Sequence, residues 1–184
     1  MANEKLVFGH AVQGIFLDAL GERLNPQARV KFREAGIDLD RPLLPAYDQA
    51  VYHRCIELAA AEVWPELPRA DALRRVGAAV MKSYEGTLVG KAVAGMIRMI
   101  GPRRTLERAT HNFRSATNYL ECKVLTPEPR KAELTLNETS GVPTYFEGVV
   151  VTALEMAGAT HLHCLLSAQG TGGTRYRLTW EGRA

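Results

Sequence analysis

The hydrophobic period of this chain changes at Thr117, and that change limits the folds open to it. Before Thr117 apolar residues recur every three to four positions, as on helices; after it, apart from one intervening helix, they recur every second position, as on strands with one buried face. Leu120, Cys122 and Val124 alternate with Tyr119, Glu121 and Lys123, and beyond a Pro127/Pro129 turn Leu134 and Leu136 alternate with Glu133, Thr135 and Asn137. The two segments read as a hairpin. Pro143 opens a helix that ends at Gly158. Leu162, Cys164 and Leu166 then alternate with His161, His163 and Leu165, and across a glycine-rich turn at 170–173 Tyr176, Leu178 and Trp180 alternate with Arg175, Arg177 and Thr179. The expected fold is therefore α+β, with N-terminal helices packed on a C-terminal four-stranded antiparallel sheet of ββαββ order. The apolar sets should meet the helices and the polar sets should meet water or a partner, while strand order stays open.

In the helical part, Val12, Ile15, Phe16, Ala19 and Leu20 predict an amphipathic helix after an extended Leu6–Phe8. Asn25-Pro26 supplies an N-cap with proline at the first helical position, Leu24, Ala28 and Phe32 form the stripe, and Gly36 ends the second helix. A longer helix is predicted over Tyr47–Val63, with Val51, Cys55, Leu58 and Ala59 inward, and another over Arg69–Tyr84, with Leu73, Val76, Val80, Met81 and Tyr84 inward. Gly86-Thr87 interrupts the pattern before Leu88–Ile100, where Gly90 and Gly95 would allow close helix packing. Gly101-Pro102 precedes a last helix over Arg103–Phe113. With no repeat and no linker, residues 1–184 are expected to form one domain, 1–116 mainly helical and 117–184 the sheet part.

Composition excludes several classes. A hydrophobic fraction of 46% and a charged fraction of 23% rule out a disordered or collagen-like chain. The apolar stretch Leu88–Ile100 contains Lys91 and Arg98 and is shorter than the ~20 residues that cross a bilayer, so no membrane span is expected. The first residues lack the features of a secretion signal, and a cytoplasmic location is expected. Cys55, Cys122 and Cys164 are too few and too scattered for a disulfide framework or a zinc knuckle and read as small buried hydrophobes. Arginine makes up 17 of the 23 basic residues, yet a net charge of +3 without a clustered basic stripe does not indicate nucleic acid.

Candidate chemistry is sparse. His161 and His163 would lie on one side of a strand ~6.5 Å apart, but a third metal ligand is missing and no metal site is assigned. Arg104, Arg108 and His111 share a helical face that could draw an anion. Met81, Tyr84, Met96 and Met99 could line an apolar cavity between helices and sheet for a small hydrophobic or lipid-like ligand. His161, His163, Arg175 and Arg177 mark the polar sheet face as a partner surface. Gly86-Thr-Leu-Val-Gly90-Lys91 is one residue short of a phosphate loop, and Asp38 and Asp40 read as turn caps. His53 and Cys55 are two apart on a helix and cannot face one another as base and nucleophile. No catalytic residue is assigned.

Glu22-Arg23, Ala35-Gly-Ile-Asp-Leu39, Pro45-Ala-Tyr47, Tyr84-Glu-Gly-Thr87, Gly101-Pro-Arg-Arg-Thr-Leu106, Asn112-Phe-Arg-Ser115, Thr117-Asn-Tyr119 and Tyr145-Phe-Glu-Gly148 together resemble a myxobacterial paralogous family known as domain of unknown function 2378. The resemblance implies a lineage and no activity. More distantly, the order of elements is similar to haem nitric-oxide-binding and 4-vinyl-reductase-like domains, which bind haem, small ligands or lipids, or act as adaptors, often as dimers. The haem-binding Tyr-x-Ser-x-Arg signature is absent, so no cofactor is expected. Two functions follow from the resemblance: a ligand-binding sensory module in signalling, or a dimerisation or protein-interaction scaffold without a ligand. The partners expected are a second copy or another protein, and a small hydrophobic ligand.

Overall fold

A computed structural model describes residues 4–83, 88–170 and 172–183. Strand β1 (Leu6–Phe8) pairs antiparallel with β2 (Ala46–Asp48), and Val7 also bridges to Thr117. Asn118 joins the chain start to the start of the sheet: its side chain accepts from the Leu6 amide at 2.8 Å and donates to the Glu4 carbonyl at 2.9 Å. Helix α1 (Gly9–Gln13) runs into a π-helical turn, Gly14–Ala19, which carries Ile15 and Phe16 into the core. Helix α2 (Pro26–Ala35) starts at Asn25, whose side chain accepts from the Ala28 amide at 2.8 Å, and ends at Gly36 in the left-handed region. In the loop that follows, Asp38 accepts from the Asp40 amide and Asp40 pairs with Arg29, so both aspartates build the turn.

Helix α3 (Gln49–Val63) begins two residues later than its periodicity predicts, because Tyr47 is taken into β2 and Asp48 caps the first turn through the Ala50 amide. Its buried face is Tyr52, His53, Cys55, Ile56, Ala59 and Ala60, turned from the expected one so that Val51 and Leu58 are only half-buried. Helix α4 (Arg69–Ser83) buries Ala72, Leu73, Val76 and Gly77. The expected inward Tyr84 and the break at Gly86-Thr87 lie outside the described residues. Helix α5 (Leu88–Glu107) is kinked at Gly101, whose φ of 81° and ψ of 171° no helix contains. Pro102 restarts it, as the Gly-Pro pair predicts. Arg183 from the chain end donates to the Arg98 carbonyl and, at 2.6 Å, to that of Met99, satisfying acceptors left open by the kink. Helix α6 (Ala109–Ala116) is separate, whereas the sequence predicts one helix through Phe113.

Strands β3 (Cys122–Glu128) and β4 (Lys131–Leu136) precede helix α7 (Pro143–Met156), and β5 (Ala159–Gln169) and β6 (Gly173–Gly182) follow it. All pairings are antiparallel and the order is β3-β4-β6-β5. The inner face carries Leu134, Leu136, Tyr176, Leu178 and Trp180, all buried, as the alternation predicts. The outer face carries Lys123, Glu133, Thr135, His163, Arg175 and Arg177. One part of the alternation fails: between Thr160 and His163 β5 is bulged, and His161 has φ of 46°. The bulge interrupts the two-residue period, so the two imidazoles lack the regular spacing their sequence predicts.

Helices α4 and α7 cross where each has a glycine. A Cβ on Gly77 would lie 2.1 Å from the Tyr145 carbonyl oxygen, and one on Gly148 would lie 2.1 Å from that of Arg74. Beside the crossing, buried Glu147 pairs with Arg74 at 2.8 Å. The expected packing glycine Gly95 is instead exposed, with nothing within 4 Å of its Cβ position. We predict that Gly148→Ala costs about 3 kcal/mol in urea unfolding, because backbone must move to admit the methyl group. Gly95→Ala should stabilise the chain by ~0.5 kcal/mol through unfolded-state entropy.

Candidate functional site

Four buried polar residues, His53, Glu138, Thr139 and Thr174, gather around β1, α3, the start of α7 and the loop after β4. Glu138 and Ser140 stand on that loop, which is fixed to the β5–β6 turn by the Thr139 amide on the Gly172 carbonyl at 2.6 Å and by the Thr139 and Thr174 hydroxyls at 2.7 Å. The Tyr176 hydroxyl donates to the Pro143 carbonyl at 2.9 Å and so ties the sheet to the first turn of α7. Glu138 is buried, accepts from the Lys5 ammonium at 2.5 Å and from the Ser140 amide at 2.9 Å. Burial alone would raise its pKa, but the Lys5 and Ser140 hydrogen bonds prevail and hold the carboxyl down at about 2.

His53 on α3 is the one buried histidine among the described residues; His10, His111, His161 and His163 are exposed. Its Nδ1 lies 3.0 Å from the Ser140 carbonyl, which can only accept, so Nδ1 carries the proton and Nε2 is left as a bare acceptor. Nε2 is buried and has no hydrogen-bond partner among the described residues. Burial lowers the pKa of this imidazole despite the Ser140 carbonyl and the nearby Glu138 and Glu57 carboxylates, and keeps the neutral form in the fold.

Two aromatic rings, Tyr52 and Phe146, flank the His53 imidazole. Phe146 of α7 meets His53 edge-on at 6.4 Å between centroids and Phe113 of α6 edge-on at 6.0 Å. Tyr145 and Tyr52 share a hydroxyl–hydroxyl hydrogen bond of 3.1 Å, and Tyr52 continues through Phe16 to Phe32. Burial raises the pKa of Tyr52, Tyr119 and Tyr176, so these phenols stay protonated. Burial likewise pushes Cys55 up to about 12, Cys122 to about 11 and Cys164 to about 12, which makes the thiols inert rather than nucleophilic. The arrangement offers one open acceptor beside aromatic rings; it carries no nucleophile with an adjacent base.

The residues singled out from sequence lie elsewhere. Arg104, Arg108 and His111 are exposed on α5 and α6, with Arg108 at the break between them and its guanidinium 3.4 Å from the Met96 sulfur. Met81 is half-buried on α4, Met96 and Met99 are 39% and 71% exposed, and Tyr84 is outside the described residues. Arg175 and Arg177 converge on Glu133, at 3.7 and 3.1 Å, on the outer sheet face that His163 shares. Among the described residues no group of three metal-ligating side chains is present. The cluster around His53 is invisible to spacing rules because its partners are far apart in the chain: Ser140 is 87 residues from His53, and Lys5 is 133 from Glu138.

Comparison with solved structures places the fold. The chain is similar to a structure described as a point variant of "Tt H-NOX", with a TM-score of 0.69 and 14% identity over 96% of each chain. It is also similar to the Fe(II) unliganded H-NOX protein from K. algicida, with a TM-score of 0.69 and 8% identity over 96% of this chain and 97% of that one. An oxygen-binding H-NOX domain related to soluble guanylate cyclases gives 0.61 and 13% over 95% of each. The architecture is thus H-NOX-like. No curated protein matches in sequence. The family profile described as protein of unknown function, DUF2378, matches residues 5–181, and the chain belongs to that family.

Proposed function

We propose that this chain is a non-enzymatic sensory module that admits a small, largely apolar ligand with one hydrogen-bond donor beside His53 and responds by moving α6. The observation that carries this reading is the buried, unpartnered Nε2. An orphaned acceptor of this kind costs ~1–3 kcal/mol, which a ligand donor would offset. The rings of Phe113 and Phe146 supply an apolar wall, and Phe113 belongs to the element held least firmly: α6 contributes no fully buried residue. Separating Phe113 from Phe146 is therefore the least costly way to make room. Fold kinship supports the same reading, since one structural relative is described as an oxygen-binding domain related to soluble guanylate cyclases.

The ligand we propose is not haem. A haem needs an interior slot and an axial ligand. His111 of α6 is exposed, and Phe113 and Phe146 are in edge-to-face contact where α6 meets α7. These residues do not fit a macrocycle between the two helices.

Native mass spectrometry of the purified chain should show a bound small molecule that denaturation releases and that His53→Phe lacks. A wild type that carries nothing, and whose melting is unmoved by phenol, indole or medium-chain alcohols, would favour the scaffold reading. The titrating groups give a separate expectation. His53 is depressed in the fold, so its contribution is full above the unfolded pKa of 6.5 and falls as pH drops below it. Glu138 contributes fully above its unfolded value of 4.5 and loses that contribution as pH falls towards about 2. Its partner Lys5 is half-exposed, so solvent screens part of the pair. Glu138→Gln should cost on the order of 2 kcal/mol at pH 7 and flatten the stability curve below pH ~4.5, and His53→Gln should flatten it just below pH ~6.5.

A further inference from the structure

The outer face of the sheet exposes two leucines that a solvated face does not need, Leu125 at 64% and Leu165 at 70%. The pairing places them at the ends of one row across the sheet: Leu125 opposite Glu133, Glu133 opposite Arg177, and Arg177 opposite Leu165. A row reading Leu-Glu-Arg-Leu is chemically complementary to its own reverse. The rows on either side set no like charges directly against one another when reversed. One runs Lys123, Thr135, Arg175, Ser167 and the other Glu128, Lys131, Thr179, His163.

We infer that this face docks on a second copy of the chain, through a two-fold axis parallel to the strands and midway between β4 and β6. That rotation reverses each row. Leu125 then meets the partner's Leu165, Glu133 meets the partner's Arg177, Glu128 meets the partner's His163, and Thr135 meets the partner's Arg175. No two like charges are opposed in the three rows. The other in-plane two-fold axis, along a row, would set Glu133 against itself and Arg177 against itself, and like charges juxtaposed in an interface are strongly disfavoured. Strands of the two copies would remain aligned, as in stacked sheets ~10 Å apart. Four strands by the five residues Lys131–Thr135 give a face of roughly 330 Å² a side, less than half that of a standard interface. The dimer should therefore be weak and concentration-dependent. This inference is independent of the ligand reading, because the face lies on the side of the sheet away from His53.

Sedimentation velocity between about 10 μM and 1 mM should show the wild type associating, with Glu133→Arg and Arg177→Glu each at least ~10-fold weaker. An equimolar mixture of the two variants should associate again, since E133R presents two positive charges in this row and R177E two negative ones. Within either variant the intramolecular Glu133–Arg177 pair stays broken, so recovery on mixing reports contact between copies. A wild type that is monomeric throughout, association unchanged by either substitution, or a mixture no better than its components would each overturn the inference.

Discussion

The interior is organised around the backbone contact of α4 with α7. At Gly77 and Gly148 the helices approach until there is no room for a single methyl group on either side, and Arg74 and Glu147 pair beside the contact. Such proximity converts the first turn of α7 into a rigid reference. Tyr145 and Phe146 project from that turn, and the Tyr176 hydroxyl holds it from the sheet through Pro143. Helix α6 touches the same turn through the Phe113 ring and is fastened elsewhere by side-chain bonds such as Thr110 to the Cys122 carbonyl at 2.9 Å. At this turn one partner is held by backbone contact and the other by a ring edge, and that asymmetry is what a ligand entering between them could exploit.

Burial of polar groups nearby is compensated unevenly. Glu138 has two donors and is held ionised, and the tyrosine hydroxyls of Tyr52 and Tyr145 satisfy each other. In this cluster His53 alone is half satisfied: one nitrogen is matched to a carbonyl and the other to nothing. Where the neighbouring hydrogen bonds are closed, a single open acceptor on a ring flanked by Phe146 and Tyr52 is a localised cost, and it is also a means of discrimination. An apolar ligand without a donor would leave the cost in place, whereas one with a donor would remove it.

Much of the architecture could be read from period alone. The inward set Leu134, Leu136, Tyr176, Leu178 and Trp180 follows from alternation, and Asn25-Pro26 and Gly36 bound α2 as capping chemistry requires. Period failed where an element is too short to have one: β2 is three residues, with Tyr47 expected in a helix, and it forms by pairing with the extended Leu6–Phe8 that the sequence does predict. It failed again at His161, where a bulge inserts a residue that no alternation anticipates. The site was hidden for a different reason. His53 attracts notice through Cys55, two positions on, but its working partner is a backbone carbonyl at Ser140, which no residue type announces. Gly148 stood in plain view, yet its contact with the Arg74 backbone emerges only when two helices are placed together.

The outer sheet face raises the question of why association would use the face and leave the edges. An open four-stranded sheet has two edge strands, here β3 and β5, and unpaired edges invite strand addition. Both edges are irregular. The register of β3 breaks between Leu125 and Glu128, with Pro127 inside the break, and that of β5 breaks between Thr160 and His163. Bulges and proline remove the straight run of donors and acceptors that another strand would need. Between the breaks the pairing is regular across all four strands, and there Leu125, Glu133, Arg177 and Leu165 stand in one row. The sheet is thus discouraged from growing sideways and left free to stack, so a second copy would meet side chains with a defined charge order. Backbone pairing has no such order. Association by side chains can be tuned or abolished by one charge, which strand addition would not allow.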